Sequence, residues 1–345
     1  MRTTRFLPAA GLALTLAATL TLAGCGDDSD ASEGGNDAGD ASAFPVTIEH
    51  AYGETTIEEK PERVATVAWA NHEVPLALGV VPVGMAKVDW GDDDGDGVLP
   101  WVEERLEELD AETPTLFDET EGIDFEAVAD TAPDVILASY SGLTKEDYET
   151  LSKIAPTVAY PELAWGTSMD DMIRINSEAI GLADEGEQLV DDLDQEVADA
   201  LAERPQLDGK SVMFAYLDPS DLSQVGFYTL HDPRAGFLEK AGMATPQVVT
   251  DTSAESDEFY ATVSAEQAEQ FSDADLVITY GNDELLKEVQ QDPLMAKIPA
   301  IERGSVVMLE DSTPLAASAN PSPLSIPWGI GDYLDLLAGA ADKVG

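Results

Sequence analysis

The sequence predicts an α/β protein: two α/β lobes joined by one long helix, with a cleft between them. Three observations predict it. From Val46 onward, short apolar runs alternate with segments of helical spacing. That rhythm stops between residues 168 and 203, where apolar residues recur only at helical spacing. It then restarts and runs to the end of the chain. At 345 residues, 44% of them hydrophobic, the chain can fill two such cores.

Residues 1–24 read as a signal peptide. Arg2 and Arg5 precede a run of apolar and small residues over 6–23, short for a membrane span. Leu22-Ala23-Gly24-Cys25 follows and resembles the bacterial lipobox, in which cleavage precedes the cysteine and its thiol takes a diacylglycerol. Residues 25–44 are then the lipidated Cys25 and an acidic tether. The stretch GDDSDASEGGNDAGDASA has no apolar side chain larger than alanine, so it cannot build a core and is expected to be flexible. The layout predicts a protein held by lipid at the outer face of the cell membrane. Cys25 is the single cysteine, which leaves the folded part without disulfides or thiolate-bound metal.

The first lobe is expected over 45–165. Val64–Trp69 reads as a buried strand. A helix with Asn71 as its N-cap follows, and Val80-Val81-Pro82-Val83-Gly84 reads as the next strand. Phe125 opens a helix, 134–138 is a strand, 143–154 a helix and 157–160 a strand. The linker, 166–205, carries Met169, Met172, Ile173, Ile180, Leu189, Leu193, Val197 and Leu201 at helical spacing, with a break foreseen near Gly181. The second lobe, 206–345, restarts with a strand over 211–217 and a return through 224–230. A helix over 234–241, strands at 275–280 and 306–309 and a last helix over 327–341 complete it. Both lobes are Rossmann-like in this alternation, and the space between lobes is where small ligands usually bind.

The charge is extreme: 69 acidic against 17 basic residues, formally −52. Such a surface repels nucleic-acid phosphates and anionic lipid heads, so contact with the membrane is expected through the anchor alone.

Four stretches resemble the helical-backbone class of substrate-binding proteins of ABC importers, those for ferric siderophores, haem and vitamin B12. They are PERVATVAWANHEVPLALGVVPVG (61–84), APDVILASYSGLTKEDYETLSKIAPTVAY (132–160), DPRAGFLEKAG (232–242) and SPLSIPWGIGDYLDLLAGA (322–340). The likeness spans about 45–341 and is nearest to the siderophore-binding lipoprotein branch. It implies a monomer whose rigid connecting helix replaces hinge strands, a ferric siderophore as ligand, ABC permease subunits as partners, no catalysis and no required cofactor. Little closure suits a large rigid ligand, because little need be ordered on capture. Haem or cobalamin on the same fold is the alternative.

The resemblance matches Glu73 and Glu239 to the two permease-docking glutamates of the class, one per lobe, each expected to meet arginines through charge-assisted bonds. On sequence alone each also fits an ordinary helix acid. The ligand wall is expected to be aromatic. Trp69, Trp90, Tyr140 and Tyr280 follow strands, and strand C-termini line binding sites in such folds; Tyr216, Tyr228 and Trp328 join them from the second lobe. Core packing is the competing role for each. Arg234 and Lys87 stand out as scarce cations. Arg234 fits either an anionic chelate or a local pair with Asp232 or Glu239.

Asp92, Asp94, Asp96 and Glu103 occupy positions 1, 3, 5 and 12 of a calcium-loop pattern, with Gly97 at 6. Pro100 is foreign to that pattern, and a chain this acidic produces such clusters by chance. His50, His72 and His231 have no ligand spacing to one another, which argues against a free-metal carrier. There is no Gly-rich phosphate loop and no G-x-S-x-G, which argues against the commonest enzyme classes.

Overall fold

A computed structural model describes residues 44–344; the expected signal peptide, Cys25 and nearly all of the expected tether lie outside them. A hairpin of β1 (Val46–His50) and β2 (Gly53–Ile57) precedes the first sheet. Then come β3 (Val64–Thr66), α1 (Glu73–Ala77), β4 (Gly84–Ala86), α2 (Pro100–Glu108) and β5 (Thr115–Phe117). They are followed by α3 (Phe125–Asp130), β6 (Val135–Leu137), α4 (Lys145–Leu151) and β7 (Thr157–Val158). These strands form a parallel sheet in the order β5-β4-β3-β6-β7. The order reverses between β3 and β6, so the loops after these two strands diverge and leave room above the sheet.

Two helices connect the lobes: α5 (Met169–Ala179) and α6 (Ala183–Ala202). The expected linker helix is thus a pair, α5 and the 20-residue α6, with the foreseen break between them. The break falls at Gly181, whose φ of +71° is open to glycine at little cost, and a Cβ there would lie 2.6 Å from the Phe44 ring. Gly186 lets α6 cross α5 closely, since a Cβ would meet the Ser177 hydroxyl.

The second lobe holds β8 (Val212–Tyr216), β9 (Gln224–Tyr228), α7 (Pro233–Lys240), α8 (Gln247–Glu255), β10 (Tyr260–Ser264) and β11 (Leu276–Tyr280). It continues with α9 (Asp283–Gln291), α10 (Pro299–Arg303), β12 (Val306–Leu309), α11 (Pro314–Ser318) and α12 (Ser325–Ala341). Its sheet runs β10-β9-β8-β11-β12; β8, β11 and β12 are parallel, and β9 and β10 are added antiparallel. Here the order reverses between β8 and β11.

Two local expectations are corrected. The strand expected at Val80–Gly84 begins only at Gly84, because Pro82 has no N–H for a ladder and Val81 is exposed. Asn71 is not a helix cap; His72 holds that position without a side-chain bond. Asn71 is instead buried. Its amide donates to the carbonyls of Val67 (2.9 Å) and Tyr140 (2.8 Å). Its oxygen accepts from the Tyr140 N–H (3.1 Å), the Ser139 hydroxyl (3.3 Å) and the Asn176 amide (3.2 Å). One side chain thus ties the ends of β3 and β6 to α5.

The largest core cluster does not stop at a lobe boundary. It joins Ala70, Val74 and Tyr140 of the first lobe through Met172 and Ile173 of α5 and Leu193 of α6 to Phe214, Leu276 and Leu309 of the second. In return Ala317, Leu324 and Trp328, from the C-terminal segment, pack into a first-lobe cluster with Leu76, Met85 and Trp101. Replacing Asn71 by alanine strips partners from several buried groups at once, so it is expected to cost roughly 2–4 kcal/mol. Denaturant unfolding measures this; a loss below about 1 kcal/mol would contradict the role given to Asn71.

Candidate functional site: a cleft walled by aromatic rings

The loops after β3, β8, β11 and β12 face one another across a cleft of about 770 Å³. Trp69 and Trp90 line it from the first lobe, and Tyr216, Tyr228, Arg234, Tyr280 and Asn320 are among its lining from the rest of the chain. The rings form a chain that crosses between the lobes. Trp69 lies 6.5 Å from Trp90, and Trp90 meets the edge of Tyr280 at 5.3 Å. Phe214 then links Tyr280 (5.4 Å) to Tyr228 (5.5 Å). Such tilted and edge-on contacts hold ring orientations fixed. Trp90 is also anchored by its indole N–H, which donates to Asp311 at 3.1 Å.

Arg234 is set by the start of α7. Asp232 caps that helix by accepting from the Arg234 N–H (2.9 Å), and its two oxygens accept from the guanidinium at 2.7 Å each. Asp232 is wholly buried, and the guanidinium carbon sits 3.9 Å from the Tyr228 ring centroid. Burial works against the charge on Arg234, but the Asp232 bonds outweigh it and hold the guanidinium pKa above its ordinary value. Both readings of Arg234 therefore meet here: it pairs with Asp232 and still lines the cleft. Burial pushes the Tyr228 phenol up to about 12 and raises that of Tyr280, so neither offers a phenolate at neutral pH.

Six of the eight residues expected on the wall lie there: Trp69, Trp90, Tyr216, Tyr228, Arg234 and Tyr280. Tyr140 is 4% exposed and sits behind the wall, its hydroxyl accepting from the Asn320 amide (3.1 Å) and its ring edge-on to Trp165. Trp328 is away from the cleft, packed on Trp101 at 5.0 Å, because α12 begins against the first lobe. Lys87 lines a smaller recess of about 190 Å³ behind Trp69, with His72, Glu119 and Trp165. Glu119 there is raised to about 7 by burial, although it accepts from the Ala68 N–H. Among the cleft residues not foreseen, Asn282 and Asp311 follow β11 and β12 and obey the strand-end rule. Asn320, Glu284 and Glu288 carry no such signal.

Glu73 corrects a docking expectation. It is 1% exposed, and its carboxylate accepts from the Trp101 indole N–H (2.9 Å), the Ser322 hydroxyl and the Leu324 N–H (3.1 Å). It joins α1 to the entry of α12 and offers nothing to a partner. Burial raises it to about 7, against the pull of those hydrogen bonds. Glu239 does lie exposed, on α7.

The carboxylates of Asp92, Asp94 and Asp96 lie within 4.8 Å of one another, a spacing that suits one hard cation. Glu103 is raised by desolvation and then by Asp96 and Asp94. His50 and His231 are engaged locally, with Thr55 and with the Ser253 carbonyl.

Residues 64–313 match the family model described as periplasmic binding protein, and the chain belongs to that family. Its structure resembles that of PiaA from Streptococcus pneumoniae TIGR4 in complex with ferrichrome. The two are 45% identical, with a TM-score of 0.84 over 87% of this chain and 100% of that one. The probable siderophore-binding lipoprotein YfiY of Bacillus subtilis (strain 168) is 30% identical over 185 residues. That match spans 53% of this chain and only about half (52%) of YfiY. The Fe(3+)-citrate-binding protein YfmC of the same strain is 24% identical over 305 residues, 86% of this chain and 87% of that protein. Among the described residues, no helix is long and apolar enough to cross a membrane.

Glu73 also sets a pH dependence. Its folded pKa is raised above the ordinary 4.5, so the native state holds a proton that the unfolded chain releases. Its contribution is complete below about pH 4.5 and is lost as the pH rises to about 7, on the order of 3 kcal/mol in all. Glu119 acts in the same direction. Urea unfolding from pH 4.5 to 8 should show stability falling with pH, and Glu73→Gln should remove part of that slope. An unchanged slope in the variant contradicts the assignment.

Proposed function

We propose that the cleft captures a ferric siderophore and that the protein hands it to an ABC permease, as a binding protein and not an enzyme. The observation that carries this reading is the ring wall spanning both lobes around about 770 Å³, within the range of pockets that enclose a whole small molecule. Trp69, Trp90, Tyr228 and Tyr280 offer faces and edges to the chelate's organic shell. The guanidinium of Arg234, steadied by Asp232 and Tyr228, donates its remaining N–H groups to chelate oxygens. The similarity to the ferrichrome-bound PiaA supports a chelate of that size.

Lipidation at Cys25 would hold a monomer at the outer face of the membrane, as the description of YfiY as a lipoprotein suggests. Glu239 would be the second-lobe contact with the permease; the first-lobe contact must come from a residue other than Glu73. Haem fits less well. Its iron would want an axial histidine or phenolate. No histidine lines the cleft among the described residues, which leaves the phenols of Tyr216, Tyr228 and Tyr280 as the axial candidates there.

Titrating the protein with ferrichrome while following tryptophan fluorescence tests this reading. Quenching that saturates at one chelate per chain is expected, and Trp69→Ala should weaken binding by about tenfold or more. Absence of quenching by ferrichrome, other ferric chelates and citrate alike would defeat it.

A further inference from the structure

Charge on the cleft wall is one-sided. Among the described residues, Arg234 is the one basic residue lining the cleft, and its charge is matched at two hydrogen bonds by the buried Asp232. Three lining carboxylates are then left over: Glu284 and Glu288 on α9, and Asp311 after β12. All three are exposed, and none is within ion-pair distance of a lysine or arginine among the described residues. The nearby cations do not offset them from the wall. Lys87 faces the recess behind Trp69, and Lys287, though on α9, is not part of the cleft lining.

We propose that Glu284, Glu288 and Asp311 make the cleft a charge filter, which favours a ferric chelate with net positive charge, accepts a neutral one and disfavours anionic chelates. The inference rests on the reading of the cleft as a ferric-chelate site and names the class of ligand that site selects. A trihydroxamate iron core is neutral, so such a ligand is one whose periphery carries a free ammonium group. A carboxylate-rich chelate would bring negative charge against the three acids. Arg234 cannot compensate, because its counter-charge is already built in; it serves as a hydrogen-bond donor rather than as an anion site.

A carboxylate about 8 Å from a unit charge in water changes binding about twofold. Three of them acting on ligands two charge units apart should change affinity on the order of fiftyfold at low ionic strength. Raising the salt towards about 1 M should erase most of that difference, because the screening length falls to about 3 Å. The rest of the acidic surface adds a field of the same sign. Only substitutions in the cleft separate the two sources.

Ferrioxamine B, a linear ferric trihydroxamate ending in an ammonium group, supplies matched probes. Its N-acetyl derivative is neutral and its N-succinyl derivative ends in a carboxylate, while the iron core is unchanged. Dissociation constants of the three for the mature protein, from tryptophan quenching at low and high salt, are the measurement. Affinity should fall from ammonium to acetyl to succinyl and converge at high salt. The doubly substituted E284Q/E288Q protein should narrow the low-salt spread at least threefold. A melting curve would check its folding, and because the spread is a ratio of affinities within one protein, a uniform change in affinity for all three probes leaves it readable. Equal affinities, tightest binding of the succinyl probe, or preference for ferric dicitrate over all three would overturn the charge filter while leaving a ferric-chelate site standing. An unchanged spread in E284Q/E288Q would place the preference in the general surface field and overturn the assignment to these residues. Binding of no ferric chelate at all would instead remove the transport reading, and the filter with it.

Discussion

The cleft depends on a core that the two lobes share. Ala70, Val74 and Tyr140 belong to the same apolar cluster as Phe214, Leu276 and Leu309, with α5, α6 and α12 packed between them. Polar ties run the same way. Glu73 on α1 holds Ser322 and Leu324 at the entry to α12, and the Trp90 indole bonds Asp311 across the cleft mouth. Rotating one lobe against the other would expose packed apolar surface and strip hydrogen bonds from buried groups, each a cost of about 1–3 kcal/mol. Such packing works against a hinge between the lobes, and the cavity is expected to be largely formed before any ligand arrives. Preformed walls suit a rigid guest, since neither side loses much conformational freedom on binding.

The same rigidity explains how the ring wall is kept in place. Trp69, Trp90, Tyr280, Phe214 and Tyr228 contact one another in series, so displacing one ring disturbs the next. Arg234 is held in the same manner, between a buried carboxylate and an aromatic face. This arrangement lets a cation sit in a half-buried wall without drawing in an anion of its own.

Much of the fold was legible from residues alone, because it is written in local periodicity. Strands β3, β6, β8, β11 and β12 fall inside the apolar runs that predict them, and the break between α5 and α6 falls at Gly181. The strand-end rule placed Trp69, Trp90 and Tyr280 on the wall for a physical reason: parallel strands point their C-termini at one edge. Long-range packing was not legible. Glu73 sits at the start of a short helix, where an acid ordinarily meets water and the helix dipole. Its burial comes from Ser322 and Leu324, some 250 residues further along the chain. Trp328 and Tyr140 were misplaced for the same reason, since pattern cannot say that α12 begins against the first lobe or that Asn320 covers Tyr140. Val80–Val83 was misread because an apolar run resembles a strand even when proline interrupts its ladder.

The preset geometry can be measured as a distance between the lobes. Spin labels at the exposed positions Glu146 on α4 and Glu269 in the second lobe would report it by pulsed electron resonance, with and without saturating ferrichrome. A shift of less than about 2 Å between the two distance distributions is the result that a shared core predicts. A closure of several ångströms or more, or a broad ligand-free distribution that narrows on binding, would mean the lobes move as separate bodies and would contradict it.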